Sequence, residues 1–142
     1  MPLPQDIRDS LTLPVFCAPM FLCSTVELAI ACRTSGVIGS LTANHCRDLA
    51  ELETHLSAVS EAVARFADAH PGRRIGPLAV NIAPTKDTDD FRAHLDACRR
   101  HGARIIVTSV GNPTQNAPMV RDTGMLHFHD VTNIRFAEKA AA

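Results

Sequence analysis

Short apolar runs rich in β-branched residues alternate along this chain with longer segments of helical spacing, and this alternation restricts the possible folds more than any other feature. Strands that read as near-continuous apolar runs are buried on both faces, and helices between them supply the crossovers of a parallel sheet. The first run is LPVFCAPM, Leu13 to Met20; Ser24-Thr25-Val26-Glu27 follows as a Ser-x-x-Glu capping box that opens a helix to about Arg33. The second run, Gly36 to Leu41, leads through a polar loop to an amphipathic segment. That segment carries Leu49, Leu52, Leu56, Val59, Val63 and Phe66 on one stripe and closes at Pro71-Gly72. A third strand, Leu78 to Ile82, precedes a helix from Asp87 to His101, with Phe91, Leu95 and Cys98 on one face and Gly102 in the left-handed cap position. Asp89 and Asp90 at its start, with Arg99 and Arg100 at its end, suit the helix dipole. The fourth strand, Arg104 to Val110, opens into a Gly-Asn-Pro loop and a short helix that stops near Gly124. The fifth, Met125 to Val131, leads into a helix capped by Thr132 or Asn133, running through Ile134, Ala137 and Lys139 to the closing alanines.

Five such units make one domain over residues 1–142 and fit two architectures. One is the N-terminal portion of a (β/α)8 (TIM) barrel, incomplete after strand five, since a whole barrel typically takes about 250 residues. The other is an open, doubly wound parallel sheet. Both bury their strands, so periodicity alone does not choose between them.

Composition removes several function classes. An apolar content of 46% belongs to an ordinary globular chain. Lys plus Arg (14) balance Asp plus Glu (15), so no strong field draws the chain to nucleic acid or an anionic membrane. With no Trp, no Tyr and six scattered Phe, it lacks a stacking platform for single-stranded nucleic acid. The N-terminus has no basic region followed by an apolar core, and nowhere do about eighteen apolar residues run together, so the expected compartment is the cytosol. Cys17, Cys23, Cys32, Cys46 and Cys98 are an odd set without a C-x-x-C pair, which argues against a disulfide framework or a zinc knuckle. They read as small apolar fillers in a reducing compartment.

In either architecture ligands bind at the carboxyl ends of the parallel strands. The residues there are Ala18-Pro19-Met20, then Ser40 and Thr42, then Asn81, then Ser109 and Gly111-Asn112, and finally His129-Asp130. The Asn81 amide, flanked by Val80 and Ile82, needs a partner, which is either a ligand or a neighbouring strand end. His127 and His129 face the same way on a strand, with Asp130 opposite. A His-x-His pair ligates a metal only with further ligands from other strand ends; none stands there, so no metal is expected and His127 reads as a satisfied interior histidine. His45, His55, His70, His94 and His101 fall in loops or helices and read as solvated surface residues. No G-x-G-x-x-G or Walker-type phosphate loop occurs.

The segments LPVFCAPMF, GVIGSL, LAVNI, RIIVTSVGNP and LHFHDVTNIRFAEKA, in this order and spacing, resemble the nitronate monooxygenase (2-nitropropane dioxygenase) family across nearly the whole chain. The resemblance implies a barrel that binds FMN and oxidises nitronates, the anions of nitroalkanes, with dioxygen, giving a carbonyl compound and nitrite. It implies that the main chain of Ala18, Pro19 and Met20 lies against the isoalloxazine and that Asn81 meets the pyrimidine or ribityl side. His129-Asp130 then occupies the place where many members carry His-Lys, the lysine approaching the flavin N1/O2 edge. Asp130 departs from that pattern, because a carboxylate cannot stabilise negative charge developing there. By the same resemblance, the glycine-rich phosphate segments and the catalytic histidine are expected beyond Ala142. FMN-dependent enoyl reductases share the first-strand Ala-Pro-Met and stand as an alternative. A further alternative is a catalytically incomplete chain that pairs with itself, or with a C-terminal piece, through the unpaired edges of its first and fifth strands.

Overall fold

Four strands of four or five residues lie side by side in the order in which they occur along the chain, all parallel: β1 (Gly39–Thr42), β2 (Leu78–Asn81), β3 (Ile105–Ser109) and β4 (Leu126–Asp130). They are seen in a computed structural model that describes residues 3–83, 87–109 and 111–141. Val110, the last residue of the expected fourth strand, and Ala142 lie outside the described residues. Each crossover carries a helix: α3 (Leu49–Ala69), α4 (Thr88–Arg100) and α5 (Ala117–Asp122). Two helices, α1 (Gln5–Ser10) and α2 (Val26–Thr34), precede β1, and α6 (Ile134–Ala141) follows β4. A doubly wound sheet reverses its strand order at a switch point. Here the order never reverses, so the open-sheet alternative fails and the strands form an arc of a barrel.

Strand alternation sorts the side chains into two cores. On the outer face Leu41, Leu78, Val80, Ile82 and Ile106 pack with helical residues including Leu52, Leu56, Val59, Phe91 and Leu95. On the inner face Ile38, Ala79, Ile105 and Val107 meet Ile7 and Leu11, with Phe16, Leu126 and Phe128 against them. The Phe16 and Phe128 rings stand 6.1 Å apart although β1, β2 and β3 lie between their strands. In a flat sheet those strands would be about 19 Å apart, so the sheet is bent and the large rings meet across its hollow.

The expected first strand shrinks to a single bridge, Phe16 to Ile38, held by Cys17 N–H to Ile38 O (2.9 Å) and Ile38 N–H to Val15 O (3.0 Å). Pro14 and Pro19 bracket it; neither can donate to a ladder, so only Val15 to Ala18 remain to pair. The cap of α2 also differs from expectation. Thr25 Oγ1 accepts from Leu28 N–H, while the buried Ser24 Oγ accepts from Met20 N–H at 2.8 Å. The α4 boundaries match: Asp87 accepts from the N–H groups of Asp89 and Asp90, and Gly102 takes φ +74° while Ala103 N–H closes on Cys98 O. His94, expected at the surface, is instead buried, because it lies on the same stripe as Phe91, Leu95 and Cys98; its Nδ1 sits 2.7 Å from Asp90 O. Among the described residues, no helix is long and apolar enough to cross a membrane.

Two contacts in this frame are sensitive. The first is Gly39, where α2 crosses β1: a Cβ at that position would come within 2.7 Å of Ala29 O. The second is on the outer face of β3 and β4, where His127 Nε2 and His129 Nδ1 each lie 2.8 Å from the Oγ1 of buried Thr108. One hydroxyl carries one proton, so Thr108 donates to one ring and accepts from the other, an arrangement that suits two neutral imidazoles. Burial first, and the neighbouring His129 second, hold His127 below the ordinary histidine value of 6.5.

Gly39→Ala is expected to lower the unfolding free energy by about 1–3 kcal/mol through overpacking, read as a lower urea midpoint with an unchanged slope. A depressed histidine favours the proton-free native state, so its stabilisation is complete above the unfolded value of 6.5 and is lost as pH falls through the lower native value. The urea midpoint should therefore fall between pH 7 and pH 5.5, and His127→Asn should remove part of that fall.

Candidate functional site

The inner side of each strand turns from apolar to polar as it reaches the carboxyl end. Ile38 is followed two residues on by Ser40 and then Thr42, Ala79 by Asn81, Val107 by Ser109, and Phe128 by Asp130. The register sets Thr42 opposite Asn81 and Ser109 opposite Asp130; because Asn81 pairs with Val107, the second pair stands one step further along, and the polar row at the top of the hollow is stepped. Apolar Val107 and Phe128 lie beneath its Ser109–Asp130 step, and Phe16 faces Phe128 across the hollow.

The row is partly tied together. Asn81 Nδ2 donates to Val107 O (3.2 Å) and Ser109 Oγ (3.1 Å), so the neighbouring strand supplies the partner that the sequence left open. Ser40 Oγ donates to Cys17 O at 2.7 Å, fastening the short first bridge to β1. Thr42 is different: its Oγ1 is buried and, among the described residues, is the side-chain polar atom without a hydrogen-bond partner. An unmet buried hydroxyl costs about 1–3 kcal/mol. Atoms of this kind concentrate where a ligand or ordered water completes the site.

The Ala18-Pro19-Met20 turn forms one rim, with Ala18 and Met20 exposed and Pro19 half-buried. Proline is not its only brace. Met20 O accepts from the N–H groups of Cys23 and Ser24, and Met20 N–H donates to Ser24 Oγ. Ser24, which reads as a helix cap in the sequence, thus holds the turn.

The opposite rim is the end of β4. His129 turns to the outer face with Thr108, and by alternation only Asp130 of the pair belongs to the inner side. A cavity of about 400 Å³ opens there, lined by Gly111, Asn112, His129, Asp130, Phe136 and Lys139 among others. Its loop is pinned by Asn112 Oδ1, which accepts from Thr114 N–H and Oγ1–H, and turns at Gly111 with φ +89°. Lys139 brings an ammonium group to the same cavity as Asp130, from the helix rather than from the strand. Sequence reading placed Lys139 only on a helix face; its i+9 distance from Asp130 carries no pattern by which to link them. Among the described residues, no group of three or more His, Cys, Asp or Glu side chains is arranged to hold a metal ion. The strand ends offer a flat polar ring an apolar floor and a row of amide and hydroxyl groups at its edge, with Asp130 and Lys139 lining a cavity at the end of β4.

No protein-family model and no curated protein matches the sequence. Solved structures do match in fold. FabK from Thermotoga maritima superposes with a TM-score of 0.66 at 21% identity over 99% of this chain, and a point mutant of it with 0.69 at 19% over 96%; in both, 42% of the FabK chain is covered. The enoyl reductase domain of MlnA, from the macrolactin cluster of Bacillus amyloliquefaciens, gives 0.60 at 19% identity over 76% of this chain and 23% of that one. The chain therefore spans less than half the length of the solved structures it resembles, and its fold is that of an incomplete TIM barrel.

Proposed function

We propose that the polar row at the open end of the hollow binds the ring system of FMN, and that this chain forms the ring-side portion of a flavin-dependent oxidoreductase. The observation that carries the reading is the orphaned Thr42 hydroxyl beside Asn81, at the strand ends where a barrel holds its ligand. The donor set fits the group: a flavin edge alternates acceptors and donors, and Thr42, Asn81 and the backbone of the Ala18-Met20 turn offer both kinds. When bound, FMN supplies the electron transfer between substrate and acceptor.

The chain's own groups orient and insulate. Phe16 and Phe128 keep water from below, and the braced turn holds Ala18, Pro19 and Met20 as a rigid wall. Asn81, held by Ser109, directs its amide along the row. Lys139 supplies the positive charge that Asp130, standing where the family carries lysine, does not. Asp130 accepts hydrogen bonds from donors such as a ring N–H or a ribityl hydroxyl. His129 lines the same cavity and, through Thr108, holds β4 against β3.

For the substrate, the five resembling segments favour a nitronate, oxidised with dioxygen to a carbonyl compound and nitrite. The likeness to FabK and to an enoyl reductase domain favours a second reading, reduction of an activated enoyl group. The family resemblance puts the phosphate-binding glycines and the catalytic histidine later along such a barrel than the segments matched here. Completion by a second copy of the chain is a related proposal. It is supported by exposed Leu13 and Leu22 beside one sheet edge and Ile134 and Phe136 beyond the other.

Titration with FMN should quench flavin fluorescence saturably. Asn81→Ala is expected to weaken binding about tenfold, the equivalent of roughly 1.4 kcal/mol. Thr42→Val should weaken it about threefold to tenfold while raising stability by about 1 kcal/mol, because the orphaned hydroxyl is removed. Quenching that is absent, or indifferent to both changes, would overturn the flavin reading. Nitrite release from a nitronate against loss of an enoyl thioester with reduced nicotinamide separates the two substrates, and gel filtration reads self-association.

A further inference from the structure

The five cysteines fall into different environments. Cys98 is buried, Cys46 Sγ faces His55 Nδ1 at 3.4 Å, and Cys23 is exposed. Cys17 and Cys32 are both half-buried, and the fold brings them together.

The geometry follows from the bridge at the sheet edge. Phe16 pairs with Ile38, which sets Cys17 beside Gly39. The Phe16 ring turns inward to Phe128, so by alternation Cys17 projects outward, beneath α2. Gly39 has no side chain, and α2 settles closely on it: the Cys32 Cβ lies 3.3 Å from the point where a Gly39 Cβ would stand. The two cysteine side chains meet over that glycine, near enough for the Cys17 sulfur to act on the Cys32 thiol. No spacing motif marks the pair; the bridge register, the alternation and the missing Cβ create it.

We propose that Cys17 and Cys32 are a reversible dithiol site that forms an intramolecular disulfide on reaction with a small-molecule disulfide oxidant. The Cys17 thiolate attacks one sulfur of the oxidant and one thiolate leaves, giving a mixed disulfide at Cys17. Cys32, deprotonated, then attacks the Cys17 sulfur, and the second thiolate leaves. Two protein thiols and one oxidant disulfide become one protein disulfide and two small thiols, with electrons and protons balanced. Cys17 attacks first because burial, and then the adjacent Cys17 sulfur, push the Cys32 thiol up to about 11. The bond closes a loop of about fifteen residues around the Ala18-Pro19-Met20 turn and clamps to α2 an edge otherwise held by one bridge. In a reducing compartment such a pair rests as thiols and responds to oxidation transiently. The proposal does not depend on the flavin reading.

The test uses the 142-residue chain carrying Cys23→Ser, because no Lys or Arg lies between Arg8 and Arg33 and tryptic peptides would not separate Cys17 from Cys23. Oxidised glutathione should lower the mass by about 2 Da. Trypsin together with a protease cleaving after Glu27 parts Cys17 from Cys32, and Cys32 from Cys46 at Arg33, and should leave the Cys17 and Cys32 peptides joined until reductant is added. The melting temperature should rise by about 10 °C on oxidation and return on reduction. Cys32→Ser in this background should accumulate a glutathione adduct at Cys17, with no such rise. Separate adducts at both cysteines without a cross-link, or a cross-link to Cys46 or Cys98, would overturn the proposal. So would an adduct on Cys32 in Cys17→Ser that forms as fast as the one on Cys17.

Discussion

Burial of four short parallel strands on both faces is the constraint from which the rest of this structure follows. Ladders of four or five residues are too short to stand on backbone hydrogen bonds alone, so each face needs its own cover. On the outer face the amphipathic stripes of α3 and α4 close over Leu78, Val80 and Ile106. On the inner face a less usual device serves, since helix α1 sends Ile7 under the hollow while Phe16 and Phe128 reach toward each other across it. The bend that lets those rings meet directs every strand's carboxyl end to the same opening.

The chemistry of that opening is a consequence of where apolar cover runs out. Apart from Ser40 and Phe128, inner positions below it are Ile, Ala, Val and Leu; they become polar at Thr42 and Asn81 on one level and at Ser109 and Asp130 a step further on. Asn81 and Ser109 satisfy each other, whereas Thr42 does not find a partner within the fold. An unmet hydroxyl of this kind is a local cost that a fold optimised for stability alone would avoid with valine there.

Much of the frame was legible because its signals are local and repeated. The caps of α4, the stripe of α3 and the left-handed Gly102 each depend on residues within a turn of one another. What escaped sequence reading depends on contacts between distant residues. The first strand reads as eight residues and pairs through one, because the prolines that make its turn rigid also deny it a ladder. His94 looks like a surface histidine until its place at i+3 from Phe91 is set against a buried helix face. The strand-end positions of the candidate site could be named from alternation, yet the outward turn of His129 required knowing which face was the hollow. Ser24 carries a capping-box motif that points to a different role, and Lys139 carries none; one is recognised by the bond it makes to Met20, the other by the cavity it shares with Asp130.

The unreversed strand order bears on how such a chain acquires its structure. Every strand pairs only with the unit made just before it and the unit made just after, so no contact in the sheet waits for a distant part of the sequence. Emerging from a ribosome at about 5–20 residues per second, the chain can add each βα unit to an edge already present, like courses laid on a wall. Growth of this kind leaves one fresh edge waiting at each stage, and the helical crossover that follows brings the next strand to it in the parallel sense.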